Sequence, residues 1–209
     1  MKLYYFETIN PQKACAVARY LNSPVEFVRT DMAKGEHKTP GFLAINPNGK
    51  VPALVDGDLK LWEANAIMCH LARKAGSELW PRDEHRQIEL TRWFTWNSEH
   101  FTRHAGELYF QYIIKPKFGL GPQDEAAIKE ATGFFRQFAG VLNDHLRGRK
   151  YILGDTLTVV DFAVGITLPY AETSHIPVAE FPEVQRWHAR LNELPAWREP
   201  FPTAKAAAA

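Results

Sequence analysis

The stretch Asn48–Ile67, N-G-K-V-P-A-L-V-D-G-D-L-K-L-W-E-A-N-A-I, constrains the fold more than any other part of the chain. Asn48-Gly49 is a turn signal. A short apolar run from Val51 to Val55 follows, interrupted by Pro52. Proline cannot donate to a ladder, so it belongs at a strand start, an edge or a bulge. Asp56-Gly57 reads as a two-residue hairpin turn, with Leu59, Leu61 and Trp62 on the return strand. Glu63-Ala64 then opens a helix in which Ile67, Met68 and Leu71 recur at helical spacing. A strand, a hairpin and a helix start thus converge in one stretch. The amides at a helix N-terminus are ready to bind an anion.

Upstream, Leu3, Tyr4, Tyr5 and Phe6 make residues 2–6 a buried strand. Asn10-Pro11 reads as an N-cap followed by proline at the first helical position. The helix runs through Ala14, Val17, Ala18 and Leu21 and stops at Asn22-Ser23-Pro24. Val25 to Val28 is a second strand, so the chain opens as β-α-β with a right-handed crossover expected. A polar connector spans 29–47, with Phe42, Leu43 and Ile45 packing a short helix near its end. Ser77 to Glu84 reads as a linker, broken by Pro81. Beyond it no strand pattern survives. Helical windows cover about 84–114, 123–146, 158–174 and 181–193, with Lys115–Pro122 as a loop. Thr158-Val159-Val160-Asp161 is a capping-box-like start, which makes Asp161 a structural acid. The tail from Thr203 is expected to fray.

The run N-P-N-G-K-V-P-A-L-V-D-G-D followed by E-A-N-A-I resembles the glutathione-binding signature of the glutathione S-transferase superfamily. The resemblance implies α/β plus all-α architecture: a thioredoxin-like domain over 1–76, a linker over 77–84, and an all-helical domain over 85–209. It implies a cis bond between Val51 and Pro52, with the Val51 backbone offered to the cysteinyl part of glutathione. It places Glu63 and Ala64 at the γ-glutamyl end. The family has serine where this chain has Ala64, so the hydroxyl that bonds the γ-glutamyl carboxylate is missing. A hydrogen bond to a charged group is worth about 1.5–3 kcal/mol, and weakened rather than abolished binding is expected.

T-x-N-x-x-K, from Thr8 through Asn10 to Lys13, is similar to the loop after the first strand in the bacterial nu-class transferases. There threonine and asparagine face the glutathione sulfur, so Thr8 and Asn10 are the catalytic candidates. Donors and a helix N-terminus both favour a thiolate over a thiol. Asn10 serves equally well as a plain cap, and Thr8 as a strand-end residue bonding its own backbone. G-E-H-K-x-P resembles a phi-class segment in which His37 and Lys38 would contact the glycine carboxylate, with Lys50 reaching it from the other side. A solvated loop fits the same residues. Trp93, Trp96, Asn97, His100, Phe101 and His104 recur every three or four residues on one helix. With Phe6, the residues Trp96, His100, Phe101 and His104 would line the pocket of a hydrophobic second substrate. Helix–helix core packing explains the tryptophans equally well. Tyr109 and Tyr112 could also reach that pocket. The His100/His104 pair lacks the glutamate of H-E-x-x-H and a third ligand, so no metal is expected.

Composition sets the outer limits. The chain has 209 residues, 45% hydrophobic and 12% aromatic, and can bury a real core. Its net charge of +1 comes from interspersed charges, with no basic stripe for nucleic acid. No apolar run approaches the roughly 18 residues of a membrane span. The N-terminus has no signal-peptide architecture. Cys15 and Cys69 form no disulfide framework and read as small core residues, with a cytoplasmic setting expected.

The function implied by the resemblance is glutathione transfer to a hydrophobic electrophile or a disulfide, with glutathione as co-substrate and a twofold homodimer. Two alternatives stand beside it. One is glutathione-dependent reduction of disulfides or peroxides, as in the nu class. The other is a non-catalytic binding or regulatory protein of the same fold, which Ala64 and the lack of a catalytic tyrosine or serine make plausible.

Overall fold

The structure is a computed structural model that describes residues 1–202; the tail expected to fray from Thr203 lies outside the described residues. Two compact units are present. One is Met1–Trp80 with the segment from Asn192 onward, and the other is Pro81–Leu191.

The first unit contains β1 (Lys2–Tyr5), α1 (Ile9–Tyr20), β2 (Glu26–Arg29), α2 (Pro40–Leu43), β3 (Ala53–Asp56), β4 (Leu59–Trp62) and α3 (Ala64–Lys74). The strands lie in the order β2-β1-β3-β4. β1 and β2 are parallel, as a strand–helix–strand crossover requires; the other two pairings are antiparallel. Leu3, Tyr5 and Leu54 from the strands, Val17 from α1, and Ile67, Met68 and Leu71 from α3 are buried together as the core of this unit. Each such side chain contributes roughly 1.5–3 kcal/mol on burial, which is why the short strands hold. The hairpin loop is one residue later than the expected Asp56-Gly57. Asp56 still pairs, with Leu59, and Gly57 takes the left-handed φ of 61° that only glycine adopts freely.

The start of α1 also differs from expectation. Thr8, extended at φ −142° and ψ 165°, is the N-cap. Asn10 is an exposed residue in the first turn, and Pro11 follows inside the same turn. Proline is tolerated there because the first helical amides have no intrahelical partner in any case.

In the second unit, α4 (Glu84–Trp96), a π-helical turn (Asn97–Phe101), α5 (Thr102–Tyr109), a second π-helical turn (Phe110–Ile114) and α6 (Lys115–Phe118) follow without a break. The rod ends at Gly119, whose φ of 64° is left-handed. The loop expected from Lys115 therefore starts only after Phe118, because Pro116 sits in the first turn of α6, where its missing N–H costs nothing. α7 (Glu125–Leu146), α8 (Val159–Val164) and α9 (Pro182–Leu191) complete the bundle around Phe101, Phe135, Phe162 and Trp187. Residues 192–202 group with the first unit. α10 (Pro195–Arg198) packs on α1, Arg19 Nη1 donates to the Phe201 carbonyl at 2.7 Å, and the Phe201 ring stacks on Tyr5 at 5.6 Å. The apolar residues Trp197 and Phe201 draw this segment back to the first unit.

Asp161 holds the start of α8. Fully buried, it accepts hydrogen bonds from the Ile152 N–H at 2.9 Å, the Thr158 N–H at 2.9 Å, the Thr158 hydroxyl at 3.1 Å and Trp187 Nε1 at 3.0 Å. Burial pushes its carboxyl up to about 6, while the four donors pull the other way. Asp161→Asn puts an amide N–H₂ where donors already point. Denaturant unfolding of this variant is expected to show a loss of about 2–4 kcal/mol, with a small loss refuting the role of Asp161 as the organising acceptor.

Candidate active site

The register of the sheet selects one end of it. Ala53 lies opposite Tyr4 on one side and Trp62 on the other. Just beyond that row come the β1–α1 turn at Phe6–Thr8, the approach to β3 at Val51-Pro52, and the start of α3 at Glu63-Ala64. Three chain segments that carry the sequence motifs therefore meet at one edge.

The Val51-Pro52 bond is cis. Among the described residues, Val51 spends neither its N–H nor its carbonyl on the fold's own hydrogen bonds. Its place is set by Asn46, a residue sequence reasoning did not single out. Asn46 is only 3% exposed; its Nδ2 donates to the Lys50 carbonyl at 2.6 Å. Its Oδ1 accepts from the Asn48 N–H at 3.0 Å and Asn48 Nδ2 at 2.9 Å. One amide side chain thus clamps the turn that delivers Val51. The signal was available in the sequence: asparagine two residues before another asparagine, in a turn, is a common local bonding pattern.

At α1, the Thr8 N–H donates to the Phe6 carbonyl at 2.7 Å and the Thr8 carbonyl accepts the Gln12 N–H at 3.0 Å. The Thr8 hydroxyl makes no capping bond. It is a free donor beside a helix N-terminus. Asn10 is exposed and does not cap, so the alternative of a plain cap is set aside. Phe6 is buried and lies beneath the Arg29 guanidinium, 4.9 Å from its centre. Arg29 is held there by Glu7 through bonds of 2.7 and 3.0 Å.

At α3, Glu63 is the N-cap, exposed, at φ 69° and ψ 115°. A non-glycine residue at positive φ costs of order 1–3 kcal/mol and is a mark of functional sites. Ala64 is buried and supplies no hydroxyl. Asn65 Oδ1 and His37 Nδ1 are buried polar atoms with no partner among the described residues. Burial, helped by the Lys38 charge, lowers the His37 pKa, which favours the neutral imidazole as a hydrogen-bond donor. Lys38 is exposed, with its chain laid against Gly49: a Cβ there would meet Lys38 Nζ at 3.0 Å. Gly49 (φ 57°) is needed for that approach. Lys50 is exposed. Lys13, the last residue of the T-x-N-x-x-K motif, is buried in α1.

In the helical unit, Phe101 is fully buried against Phe135, 5.2 Å between ring centroids, and acts as core. Trp96 is half-buried, edge-on to Trp93 at 4.9 Å and stacked on Phe101 at 5.9 Å. His100 stacks on Phe138 at 4.5 Å and His104 on Phe134 at 4.7 Å, both rings belonging to α7. Among the described residues no group of three or more His, Cys, Asp or Glu is placed to hold a metal ion. Nor is any helix there long and apolar enough to cross a membrane. The two thiols are poor nucleophiles: burial raises the Cys15 pKa strongly and pushes that of Cys69 up to about 12.

Comparison with known proteins agrees with this geometry. The model of the glutathione S-transferase N-terminal domain matches residues 1–73, and that of the C-terminal domain matches residues 101–195. The probable glutathione S-transferase GSTF2 of Oryza sativa subsp. japonica is 34% identical over 200 residues, covering 94% of this chain and 93% of that protein. The structure of glutathione S-transferase-I bound with the ligand lactoylglutathione matches with a TM-score of 0.87 at 29% identity, over 95% of this chain and 97% of that one. A glutathione transferase family member from Pseudomonas fluorescens pf-5, with two glutathiones bound, matches with a TM-score of 0.84 at 26% identity, over 95% and 91% of the two chains. The sheet order, the cis-proline turn and matches to both domain models lead to one conclusion: this chain belongs to the glutathione S-transferase family.

Proposed function

We propose that the protein is a glutathione transferase whose glutathione lies along Val51-Pro52, with its sulfur at the N-terminus of α1. The observation that carries this reading is the meeting, at one sheet end, of three sets of uncommitted groups. They are the Thr8 hydroxyl, the Val51 backbone and the start of α3 with its orphan Asn65 oxygen. Such a set fits an extended peptide with a thiol in the middle and an amino-acid group at one end.

The residues divide the work. The Val51 N–H and carbonyl pair with the cysteinyl backbone as an added strand would. The Thr8 hydroxyl donates to the sulfur, and the α1 N-terminus adds its partial positive charge. Both favour the thiolate over a thiol whose ordinary pKa is about 8.5. Asn10, exposed in the first turn, stands as the second donor. His37, Lys38 and Lys50 border the turn at Gly49 and are assigned to the glycine carboxylate. Glu63 and Ala64 are assigned to the γ-glutamyl end. In the second unit Trp96, His100 and His104 remain the proposed residues for a hydrophobic electrophile, with Phe101 as the core beneath Trp96; Phe6 remains the candidate of the first unit. Catalysis consists of lowering the thiol pKa and holding the thiolate next to its target. A homodimer and a cytoplasmic setting belong to the same reading.

A second reading is glutathione-dependent disulfide reduction, favoured by the two glutathiones bound in the Pseudomonas fluorescens relative. Cys15 and Cys69 are both held protonated, so any disulfide exchange would run through the glutathione thiolate alone.

Three measurements check this. Thr8→Ala removes a donor to a charged sulfur worth about 1.5–3 kcal/mol. The pH at which bound glutathione ionises, followed by thiolate absorbance, is then expected to rise by about 1–2 units. An unchanged titration assigns the charge stabilisation to Asn10 or to the α1 amides. Asn46→Ala frees the Lys50–Val51 turn, and calorimetry is expected to show glutathione affinity falling about threefold to tenfold. Parallel assays of aromatic-halide conjugation and of mixed-disulfide reduction separate the two chemistries, and activity in neither, with glutathione bound, favours a binding protein.

A further inference from the structure

Lys13 is 6% exposed. Lysine is almost never fully buried unless paired. Yet among the described residues it makes no hydrogen bond and no ion pair, the Glu63 charge acting on it only from beyond contact. It stands in the second turn of α1, and α1 packs on α3. Its ammonium therefore meets desolvation, opposed only by the Glu63 charge. Burial brings its pKa down to about 8, with Glu63 opposing the shift. Among the described residues no anion in contact balances this arrangement; an anion at the start of α3 would.

We propose, resting on the reading of the site given above, that Lys13 is the counter-charge for the α-carboxylate of the γ-glutamyl end of glutathione, in the place left by the missing hydroxyl at position 64. The carboxylate lies between the Lys13 ammonium and the first amides of α3. The neighbouring α-ammonium of the same group faces the Glu63 carboxylate and the unpartnered Asn65 Oδ1. The pocket thus presents positive and negative groups side by side, matched to a zwitterionic amino-acid end. The chain selects for the free α-carboxylate by a buried point charge instead of a neutral hydroxyl.

The test uses the full-length protein, the variant Lys13→Met, and two ligands. One ligand is glutathione. The other is 4-aminobutyryl-cysteinylglycine, which lacks only the γ-glutamyl α-carboxylate. Calorimetric titration is expected to show at least a tenfold loss of glutathione affinity in Lys13→Met, with the affinity for the analogue unchanged. Without ligand, the melting temperature of the variant is expected to equal or exceed that of the wild type, since a desolvated cation has been removed. Equal losses for both ligands, or a loss for neither, overturn the role of Lys13 and leave the transferase reading standing. Failure of the wild type itself to bind glutathione overturns both. If Lys13→Met does not fold, the ratio of the two ligands' affinities in Lys13→Gln decides: a wild-type ratio refutes the proposal, and a ratio near one supports it.

Discussion

The double pairing of Ala53 governs the first unit. On one side it faces Tyr4 in β1 and on the other Trp62 in β4. An antiparallel strand between two others brings its own start to the end of both neighbours. The residues that leave β1, enter β3 and leave β4 are therefore forced together, although they lie far apart in sequence. Because side chains alternate across a strand, a slip of one residue would turn Leu54 out of the core and carry the site with it. Stability of the sheet and geometry of the site are the same constraint.

What those segments bring together is a set of polar groups left unused by the fold. Helix starts leave amides without partners as a rule, and here two of them open at the same end. Around them stand a threonine hydroxyl that caps nothing, a backbone edge before a cis proline, and an asparagine oxygen without a donor. Buried polar groups without partners are destabilising, and at this end of the sheet they stand beside unused helix-start amides and a bare backbone edge. Glu63, held at positive φ, is a further cost accepted at the same spot. At the start of α8 the arrangement differs. Its buried Asp161 has four donors, and the start of α8 is closed upon itself. Asp161 is a satisfied buried acid that builds the fold, although the same unit also holds partnerless buried atoms such as Thr167 Oγ1 and Ser174 Oγ among the described residues.

Much of this was legible in the residues. The Val51–Ile67 pattern foretold a strand, a hairpin and a helix, and only the position of the turn moved by one residue. Thr158-x-x-Asp161 was legible because capping acts over three residues. The misread positions share a cause. Asn10-Pro11 carries a local N-cap signal, but the helix begins two residues earlier, with Thr8 as cap, because Ala14, Val17 and Ala18 must face the core. Phe101 and Trp96 share a helix, yet one is core and the other half-buried, which periodicity alone does not distinguish. The grouping of residues 192–202 with the first unit rests on contacts between opposite ends of the chain, the Tyr5–Phe201 stack and the Arg19–Phe201 bond among them.

By itself, the sequence determined the elements, their order, the cis-proline turn by likeness to a family motif, and the change from mixed to all-helical structure near Pro81. These are local properties, written in spacing, turn residues and caps. Only the tertiary structure decided which polar groups keep no partner among the described residues, that Asn46 clamps the Lys50 turn, and that Lys13 lies buried within reach of the Glu63 charge. Desolvation is the reason: the character of a charge depends on what surrounds it in space, and a residue's neighbours along the chain do not reveal that.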